Sequence, residues 1–555
     1  MFCYQCEQTQ RDNGNLGCTI AGNCGKNEQI SNLQDLLIFS LLGVAPYALE
    51  CRKLGIETAA IDEFVAKGLF ATLTNVNFDP QRLKAYIRQA LIYREDLKTQ
   101  YQAYCIETQT VAKSFEANAA MTFNLINSDL AIQVQADSGV AGFDNLFLTL
   151  GEDVTGLFGL ILFGLKGIAA YTDHAFELGY INQAIYTRIY ECLVFLAEQS
   201  SDAGQYLDWA TKLGETNYWA LELLDKASTE SYGHPIPTQA RITPVQGKAI
   251  LVSGHGLNDL KDLLDQTVGT GISIYTHGEM LPALAYPELK KYPHLIGNFG
   301  GGWQDQQKDF SEFPGAILMT TNCLIAPQAA YSQRIFTMGT VGWPNTSHIS
   351  DRNFAPLIAA AQGEQGFSTT PEAQSIPIGF ARNTVLGVAD KVIDAVKSGT
   401  IKHFFLIGGC DGANSGRNYF TDFALSVPED SVVLTLACGK YRFNKHDFGS
   451  IAGLPRILDM GQCNDSYSAV QVAVALAKAF DCGVNDLPLS FIISWFEQKA
   501  VAVLLSLLYL GIQNIHLGPT LPAFLTPSSL AILVEKFKIR PTTTAAEDLA
   551  RILNK

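Results

Sequence analysis

Residues 249–256 read AILVSGHG and residues 272–280 read ISIYTHGEM, two short apolar runs that each lead into a side chain able to bind a metal. The same arrangement recurs in AILMTTNC (316–323), HFFLIGGC (403–410), VVLTLAC (432–438) and FIISWFE (491–497). Each run has the length and composition of a buried strand, and helical stretches alternate with the runs. This alternation predicts α/β structure with mainly parallel sheets.

Six candidate ligands directly follow these predicted strands: His255, Glu279, Cys323, Cys410, Cys438 and Glu497. In open parallel sheets, ligands and reactive groups gather in the crevice beyond the carboxyl ends of the strands. Cys463 is a seventh candidate, because it precedes the helical run SYSAVQVAVALAKAF with Asn464 and Asp465 as possible caps. A helix N-terminus stabilises a thiolate.

The chemistry of this set indicates a polynuclear centre. Four cysteines, one histidine and two glutamates mix soft sulfur with harder nitrogen and oxygen donors, whereas a simple zinc site needs four ligands. The large number of candidate ligands and their mixed donor atoms favour iron in both sulfur and oxygen environments. One choice stays open at this stage, because His277 and Glu279 share a strand face and either could be the ligand. The other histidines, His174 among them, have no partner at a recognisable spacing and are expected to be surface or core residues.

Four more cysteines lie within the first 24 residues: Cys3, Cys6, Cys18 and Cys24, with the spacing C-x2-C-x11-C-x5-C. Four thiolates that begin with C-x2-C suit either a cubane iron-sulfur cluster or a structural zinc. The spacing leaves both open. A relay cluster that serves a buried redox centre favours iron and sulfur.

The first part of the chain has helical periodicity from about residue 27 to residue 228. Asp79 followed by Pro80 predicts a capped helix start, and apolar residues then recur at helical spacing. We therefore expect a helical bundle over 1–228, which includes the cysteine-rich N-terminal segment, followed by α/β domains over 229–374 and 375–555.

Composition excludes several classes of protein. With 555 residues and 47% apolar content the chain can form several cores, and a net charge of −15 opposes binding to nucleic acid or anionic lipid. Membrane insertion is not expected, because the uncharged stretch 500–534 has only 12 continuous apolar residues, typical of a buried helix before a strand. The N-terminus lacks a secretory pattern, so a cytoplasmic location is expected.

Over nearly its whole length the sequence resembles the hybrid-cluster proteins, also called prismane proteins or hydroxylamine reductases. The resemblance rests on long motifs that occur in the family's order: MFCYQCEQTQ, GCTIAGNCGK, VSGHGLNDL, YTHGEMLPA, TTNCLIAP, GGCDGA, TLACGKYRFN, MGQCNDSYSA and SWFEQKA. It implies an N-terminal helical-bundle domain before two Rossmann-like α/β domains. A hybrid 4Fe-2O-2S cluster is implied at their junction, held by the seven residues named above, with Cys410 as a persulfide.

The resemblance also implies the activity, which is reduction of hydroxylamine to ammonia and water. Reduction of nitric oxide, or a nitric oxide-responsive redox role, is an alternative, and a carbon monoxide dehydrogenase-like enzyme is another. Glu279, Glu497 and Lys499 are the implied catalytic residues, with His277 as a further proton donor. On a helix, Glu497 and Lys499 would face apart.

Electrons are expected to enter through the cluster on Cys3, Cys6, Cys18 and Cys24 from a redox donor protein such as an NADH-dependent reductase. The cysteine spacing mixes the pattern of family members with a 4Fe-4S cluster and that of members with a 2Fe-2S cluster. The run GCTIAGNCGK keeps the tighter second spacing, so a 4Fe-4S cluster is favoured, with the insertion in the polar loop RDNGNLG.

Overall fold

The computed structural model describes residues 1–11, 16–115, 118–123, 128–413 and 417–553. Its first part is helical, as predicted. The helices are α1 (Glu28–Lys53), α2 (Ala59–Ala71), α3 (Pro80–Glu107), α4 (Ala119–Thr122), α5 (Asp129–Asp137), α6 (Phe143–Glu177), α7 (Gln183–Glu198) and α8 (Ala203–Tyr232). The Asp79 carboxylate accepts hydrogen bonds from the backbone amides of Gln81 and Arg82, which places the start of α3 where the cap predicted it.

Two of these helices, α1 and α6, are long and apolar enough to cross a membrane by length and composition. Most of the apolar stretch in each is buried within the fold, 78% in α1 and 56% in α6. Core helices of a folded domain pass the same test, and packing among the other helices accounts for the apolar character of α1 and α6.

A first parallel sheet follows the helices. Its elements are β1 (Thr238–Arg241), β2 (Lys248–Ser253), α9 (Leu257–Thr267), β3 (Ile272–His277), α10 (Pro287–Lys290), β4 (Leu295–Asn298), α11 (Gln306–Glu312), β5 (Ala316–Met319), β6 (Ile335–Met338), β7 (Ser347–Ile349) and α12 (Ala355–Gly363). The strand order is β4-β3-β2-β5-β6-β7, with every pair parallel. The strands at its centre are almost fully buried, which explains their continuous apolar sequences.

A second parallel sheet occupies the C-terminal part. The elements of this part are β8 (Ser375–Ile378), α13 (Arg382–Gly387), α14 (Ala389–Lys397), β9 (His403–Gly409), α15 (Tyr419–Ser426), β10 (Ser431–Thr435), β11 (Ser450–Ile451), β12 (Leu454–Pro455), β13 (Ile457–Asp459), α16 (Ser466–Ala479), β14 (Leu489–Ser494), α17 (Gln498–Tyr509), β15 (His516–Gly518), α18 (Pro527–Phe537), β16 (Arg540–Pro541) and α19 (Ala545–Ile552). The order is β13-β10-β9-β14-β15-β16, again parallel, while β8 pairs with β1 in a separate antiparallel ribbon. Strands β11 and β12 pair with each other in another separate antiparallel ribbon.

The predicted fold class is therefore confirmed, and each of the six apolar runs forms a strand. The uncharged stretch near residue 500 forms a buried helix, α17, and then a strand, β15. The domain limits at 228 and 374 stay a prediction.

Close packing of α17 against α6 and α8 fixes one wall of the site described below. A Cβ on Gly167 of α6 would lie 2.4 Å from the backbone oxygen of Gln498, and one on Gly214 of α8 would lie 2.3 Å from that of Leu505. Only glycine permits these approaches. The two glycines thus allow the start of α17 to sit deep in the molecule.

Candidate metal centre

The carboxyl ends of the two parallel sheets converge on one cavity. From the first sheet, His255 follows β2, Glu279 follows β3 and Cys323 follows β5; from the second, Cys410 follows β9, Cys438 follows β10, Cys463 follows β13 and Glu497 follows β14. Six of these seven residues line the same enclosed cavity: His255, Glu279, Cys323, Cys410, Cys438 and Glu497. The seventh, Cys463, places its Sγ 3.3 Å from His255 Nε2. The structure thus brings together all seven side chains.

His255, Glu279 and Cys463 form the tightest group, with ligand atoms that all lie within 4.8 Å of one another. Glu279 Oε2 accepts a hydrogen bond from the Cys463 amide at 2.7 Å and lies 3.8 Å from His255 Nε2. The other carboxylate oxygen, Oε1, is buried and has no hydrogen-bond partner among the described residues. A buried oxygen left in this way is suited to a cation.

The helix predicted after Cys463 begins where the sequence indicated. Cys463–Asp465 is a short 3-10 turn whose N-cap is Gln462, and Gln462 and Asp465 form a reciprocal capping box. Helix α16 begins at Ser466, and Asp465 stands at its N-cap position, as predicted, although the Asp465 side chain makes no capping hydrogen bond to α16.

A threonine sets the orientation of the His255 ring. Thr321 Oγ1 accepts hydrogen bonds from the His255 backbone amide (2.8 Å) and lies 2.9 Å from Nδ1, while its own hydroxyl donates to the Asn322 carbonyl. With its proton used in this way, Oγ1 acts as the acceptor from Nδ1–H. Nε2 then carries the free lone pair and faces the cavity, as a metal-binding imidazole requires. Burial and the nearby Lys499 charge lower the pKa of His255, which keeps the ring neutral.

The four thiols of the centre are hard to ionise without a cation. Burial raises the pKa of each, and the negative charges of neighbouring carboxylates and thiols add to the effect: Cys323, Cys410, Cys438 and Cys463. Burial also raises the pKa of Glu497. So many acidic donors around one cavity would repel each other when ionised, and bound metal cations remove that cost. The donor set fits a polynuclear metal group.

Glu497 and Lys499 lie together, contrary to the prediction that they face apart. Glu497 has extended backbone angles (φ −130°, ψ −176°) and caps α17, so helical spacing does not apply to the pair. Its Oε2 accepts from the Lys499 amide at 2.8 Å, and Lys499 Nζ lies 3.9 Å from Oε1. Lys499 Nζ also lies 3.0 Å from His255 Nε2 and donates to Asn322 Oδ1 at 3.1 Å.

Lys499 is a buried cation at the centre. Burial lowers the pKa of Lys499, but Cys463 and Glu497 raise it when they are ionised, and the pKa of Lys499 is raised overall. The ammonium group is therefore protonated at neutral pH and faces the metal-binding residues.

His277 and Glu279 have different contacts. His277 Nδ1 lies 2.9 Å from Ser253 Oγ and Nε2 lies 3.2 Å from Asp309 Oδ2, so both ring nitrogens are engaged away from the cavity. Backbone direction changes after β3, where residues Gly278–Ala285 form a 3-10 helix that turns Glu279 inward. The expectation that His277 supplies protons at the centre has no support from these contacts.

Several residues near the centre were missed by sequence reasoning. The His174 ring of α6 stacks on His255, with ring centroids 5.7 Å apart and planes at 25°. Trp303 stacks on Phe496 at 4.1 Å, and both pack against Cys410 and Cys438. Phe496 lies in the motif SWFEQKA, next to Glu497, whereas His174 and Trp303 lie outside the motifs that indicated the site.

The N-terminal cysteines form a second cluster of thiols. Cys3 and Cys18 pair through two backbone hydrogen bonds of 3.1 and 2.8 Å. Burial raises the pKa of Cys6, and the charges of Cys24, Cys3 and Cys18 raise it further, which indicates that the four sulfurs are near one another. Lys26 is buried with its Nζ 3.7 Å from Cys3 Sγ. Of the predicted insertion loop, residues 12–15 lie outside the described residues.

This segment lies directly against the metal centre. The amide of Glu7, next to Cys6, donates to the carbonyl of Phe496 at 3.0 Å, one residue before Glu497. Gln498 Nε2 donates to the carbonyl of Gln5 at 2.6 Å. A short path of covalent and hydrogen bonds therefore links the two groups of thiols.

Comparisons with known proteins agree with this architecture. The model of the Prismane/CO dehydrogenase family matches residues 1–550. A hydroxylamine reductase from Burkholderia lata is 54% identical over 554 residues, spanning 100% of this chain and 99% of the relative. A hydroxylamine reductase from Syntrophobacter fumaroxidans is 53% identical and covers 100% of both chains.

Solved structures share the fold at low identity. Carbon monoxide dehydrogenase from Thermococcus sp. AM4 matches with a TM-score of 0.56 and 17% identity, covering 100% of this chain and 90% of its own. Carbon monoxide dehydrogenase IV from Carboxydothermus hydrogenoformans matches with a TM-score of 0.55 and 15% identity, covering 97% and 89%. At this identity the likeness speaks for the fold alone.

Proposed function

This chain belongs to the Prismane/CO dehydrogenase family, and from that membership we propose that it is a hydroxylamine reductase. The reaction adds two electrons and two protons to hydroxylamine, breaks the nitrogen-oxygen bond and releases ammonia and water. The observation that carries the proposal is the convergence of seven mixed donors on one buried cavity at the ends of two sheets. Full-length relatives at 53–54% identity are named for the same activity. Carbon monoxide dehydrogenase activity has weaker support, since the solved carbon monoxide dehydrogenase structures are only 15–17% identical to this chain.

The metal groups are part of the proposal. A hybrid 4Fe-2O-2S cluster would be held by the seven residues of the centre, with Cys410 as its persulfide: His255, Glu279, Cys323, Cys410, Cys438, Cys463 and Glu497. An iron-sulfur cluster, 4Fe-4S in preference to 2Fe-2S, would be held by Cys3, Cys6, Cys18 and Cys24. When bound, the hybrid cluster would supply electrons and an iron site that polarises the nitrogen-oxygen bond.

Lys499 is the proposed proton donor. Its protonated Nζ lies 3.0 Å from His255 Nε2 and is held by Asn322 Oδ1, so it faces the same space as the ligands. From there it can donate a proton to the departing oxygen, which then leaves as water, and positioned acids contribute about 10²- to 10⁴-fold. Glu497 and Glu279 would hold metal through one carboxylate each, and Glu497 also stabilises the lysine charge.

Electrons would reach the centre from the N-terminal thiol group, along the contact between Glu7 and Phe496. The donor would be a separate redox protein, such as an NADH-dependent reductase, acting in the cytoplasm. A reducing compartment suits a chain whose twelve cysteines are all free thiols.

Metal analysis and turnover test the proposal together. Anaerobically purified protein should contain roughly six to eight irons per chain, with acid-labile sulfide and without nickel. It should oxidise a reduced dye when hydroxylamine is added. Zinc alone, or nickel with iron, would overturn the proposal, as would iron-loaded protein that leaves hydroxylamine unchanged.

A pair of glutamate variants locates the activity. Glu279→Ala should abolish turnover and leave the spectrum of the N-terminal cluster intact, because Glu279 lies in the centre and far in sequence from Cys3. Glu288→Ala is the matched control, since that carboxylate pairs with Lys291 at the surface. Wild-type turnover in Glu279→Ala would contradict the assignment of Glu279 as a required ligand.

A further inference from the structure

A polar chamber opens beside the metal centre, at the carboxyl ends of β2, β5, β6 and β7. It has a volume of about 170 Å³ and is closed on the other side by α2, α6 and α8. A single water needs about 10–15 Å³, so the chamber has room for a molecule of two heavy atoms with accompanying water. The crevice beyond parallel strands is where ligands bind in such sheets.

The inner end of the chamber reaches the metal-binding residues. His255 and Thr321 form part of its wall, and Asn464, next to Cys463, forms another part. The His174 ring also lines the chamber and stacks on His255. A molecule in the chamber is therefore one side chain away from the centre.

Two polar atoms in the wall lack partners among the described residues. They are Asp173 Oδ1 and His174 Nε2, and both side chains are more than nine-tenths buried. Unpaired buried polar atoms are unfavourable and are rare in folded proteins. Burial raises the pKa of Asp173 to about 8, so its carboxyl group is mostly protonated at neutral pH and can donate as well as accept. The pair offers hydrogen bonds to a small molecule that is both donor and acceptor.

The outer end is closed by side chains that can part. Arg352 pairs with Glu177 at 2.5 Å and with Asp259 at 3.3 Å, and Lys67 pairs with Glu177 at 2.8 Å. About a third of the Arg352 and Glu177 side chains is exposed. Asp259 is buried, so this end opens when the partly exposed Arg352 and Lys67 side chains move away from Glu177.

A second cavity also reaches the centre, but its chemistry differs. It lies between α8, α16 and α17, touches Cys410 and Cys463, and is lined almost wholly by apolar side chains such as Leu507 and Val474. A hydrogen-bonding molecule would lose its water there without replacement, whereas the polar chamber offers it partners such as Asp173 and His174.

We propose that the polar chamber is the route by which hydroxylamine reaches the metal centre, with Asp173 and His174 as the groups that bind it on the way. The inference rests on the proposed function. It assigns a role to two residues outside the ligand set and excludes the apolar cavity as the main path for this substrate.

Two rim variants test the route in the metal-loaded enzyme. Ser350 lines the chamber and is exposed, and Val474 lines the apolar cavity and is 45% exposed, so tryptophan at either position can cover an opening without disturbing a core. Ser350→Trp should lose most of kcat/KM for hydroxylamine, with kcat largely recovered at saturating substrate, because access and not chemistry is slowed. Val474→Trp should behave as wild type.

Binding is measured separately from turnover. Stopped-flow mixing with hydroxylamine should show a slower spectral change in Ser350→Trp at unchanged iron content. His174→Phe keeps an aromatic ring against His255 but removes Nε2, and should raise KM about 3- to 10-fold, the value of one hydrogen bond.

The outcomes are distinguishable. Wild-type protein that does not reduce hydroxylamine would overturn the proposed function and the route with it. An active wild type with loss in Val474→Trp and none in Ser350→Trp would overturn the route alone, as would two unaffected variants. A loss confined to Ser350→Trp, with a raised KM in His174→Phe, would support it.

Discussion

Thr321→Val removes one oxygen atom from behind the metal centre and leaves the side-chain shape almost unchanged. Thr321 Oγ1 is the acceptor for both the backbone amide and the Nδ1 proton of His255. Valine leaves two buried donors without a partner, and each such loss costs about 1–3 kcal/mol. The variant should therefore lose about 2–6 kcal/mol of native stability, less whatever a local shift recovers.

The same change should weaken metal binding. Without Thr321 the imidazole can rotate or carry its proton on Nε2, and then it no longer presents a lone pair to the cavity. Loss of a hydrogen-bond partner behind a metal ligand typically lowers metal affinity or activity 10- to 100-fold, which corresponds to about 1.4–2.8 kcal/mol. We expect reduced iron content at the centre and a matching fall in hydroxylamine turnover.

The assay compares Thr321→Val with Thr321→Ser, which keeps the hydroxyl and loses only a methyl group. Iron per chain, the thermal midpoint and kcat/KM are measured for both. The serine variant should stay near wild type while the valine variant falls in all three. A valine variant with full iron content and wild-type kcat/KM would refute the reasoning about the His255 tautomer.

Three further outcomes follow from the structure. Lys499→Met should lower turnover by about 10²- to 10⁴-fold at unchanged iron content, because it removes the proposed acid; a smaller loss than tenfold would contradict that role. Gly167→Ala should reduce the iron content at the centre, because the new Cβ would lie 2.4 Å from the Gln498 backbone oxygen and displace α17. Gly363→Ala is the control, since no atom lies within 4 Å of its new Cβ, and equal iron contents in the two variants would contradict the prediction. For Asp173 the folded pKa of about 8 lies above the unfolded value, so the wild type loses about 1.4 kcal/mol per pH unit between pH 4 and 8. Asp173→Asn should therefore become more stable relative to wild type as pH rises to 8, with no further change above pH 8. Chemical unfolding at pH 5, 7 and 9 measures this, and a stability difference that is the same at all three pH values would contradict the prediction.

The strand-end pattern is why so much of the centre could be predicted. A parallel strand is short, apolar and bounded, so the residue after it can be read from sequence, and its position at the sheet edge follows from topology. His255 and Cys410 were found in this way although 155 positions separate them. Neither sheet alone holds the site. The two sheet edges meet through tertiary packing, which no local sequence pattern could predict.

Other features could not be predicted from the sequence, for identifiable physical reasons. His174 sits in an apolar helix, where a functional histidine and a core histidine have the same neighbours in sequence. The contact between Glu497 and Lys499 depends on one pair of backbone angles at a helix start, and helix boundaries are the least certain part of a sequence-based prediction. The orientation of the His255 ring depends on which group Thr321 donates to, and that is decided by packing.

Metal binding and the docking of the two sheets must stabilise each other. The centre takes three donors from the first sheet and four from the second, and burial together with neighbouring negative charges raises the pKa of Cys410, Cys438 and Glu497. Without cations, bringing the two edges together forces these groups to stay protonated or to repel. With the proposed cations bound, each ligand would deprotonate and the two sheets would be joined through the metal, so binding free energy would become folding free energy. Gln498 extends the same coupling to the N-terminal segment, because its amide holds the Gln5 carbonyl and the Thr74 backbone amide in one buried position. Loading of the centre thereby favours the arrangement in which the N-terminal thiol group lies against it.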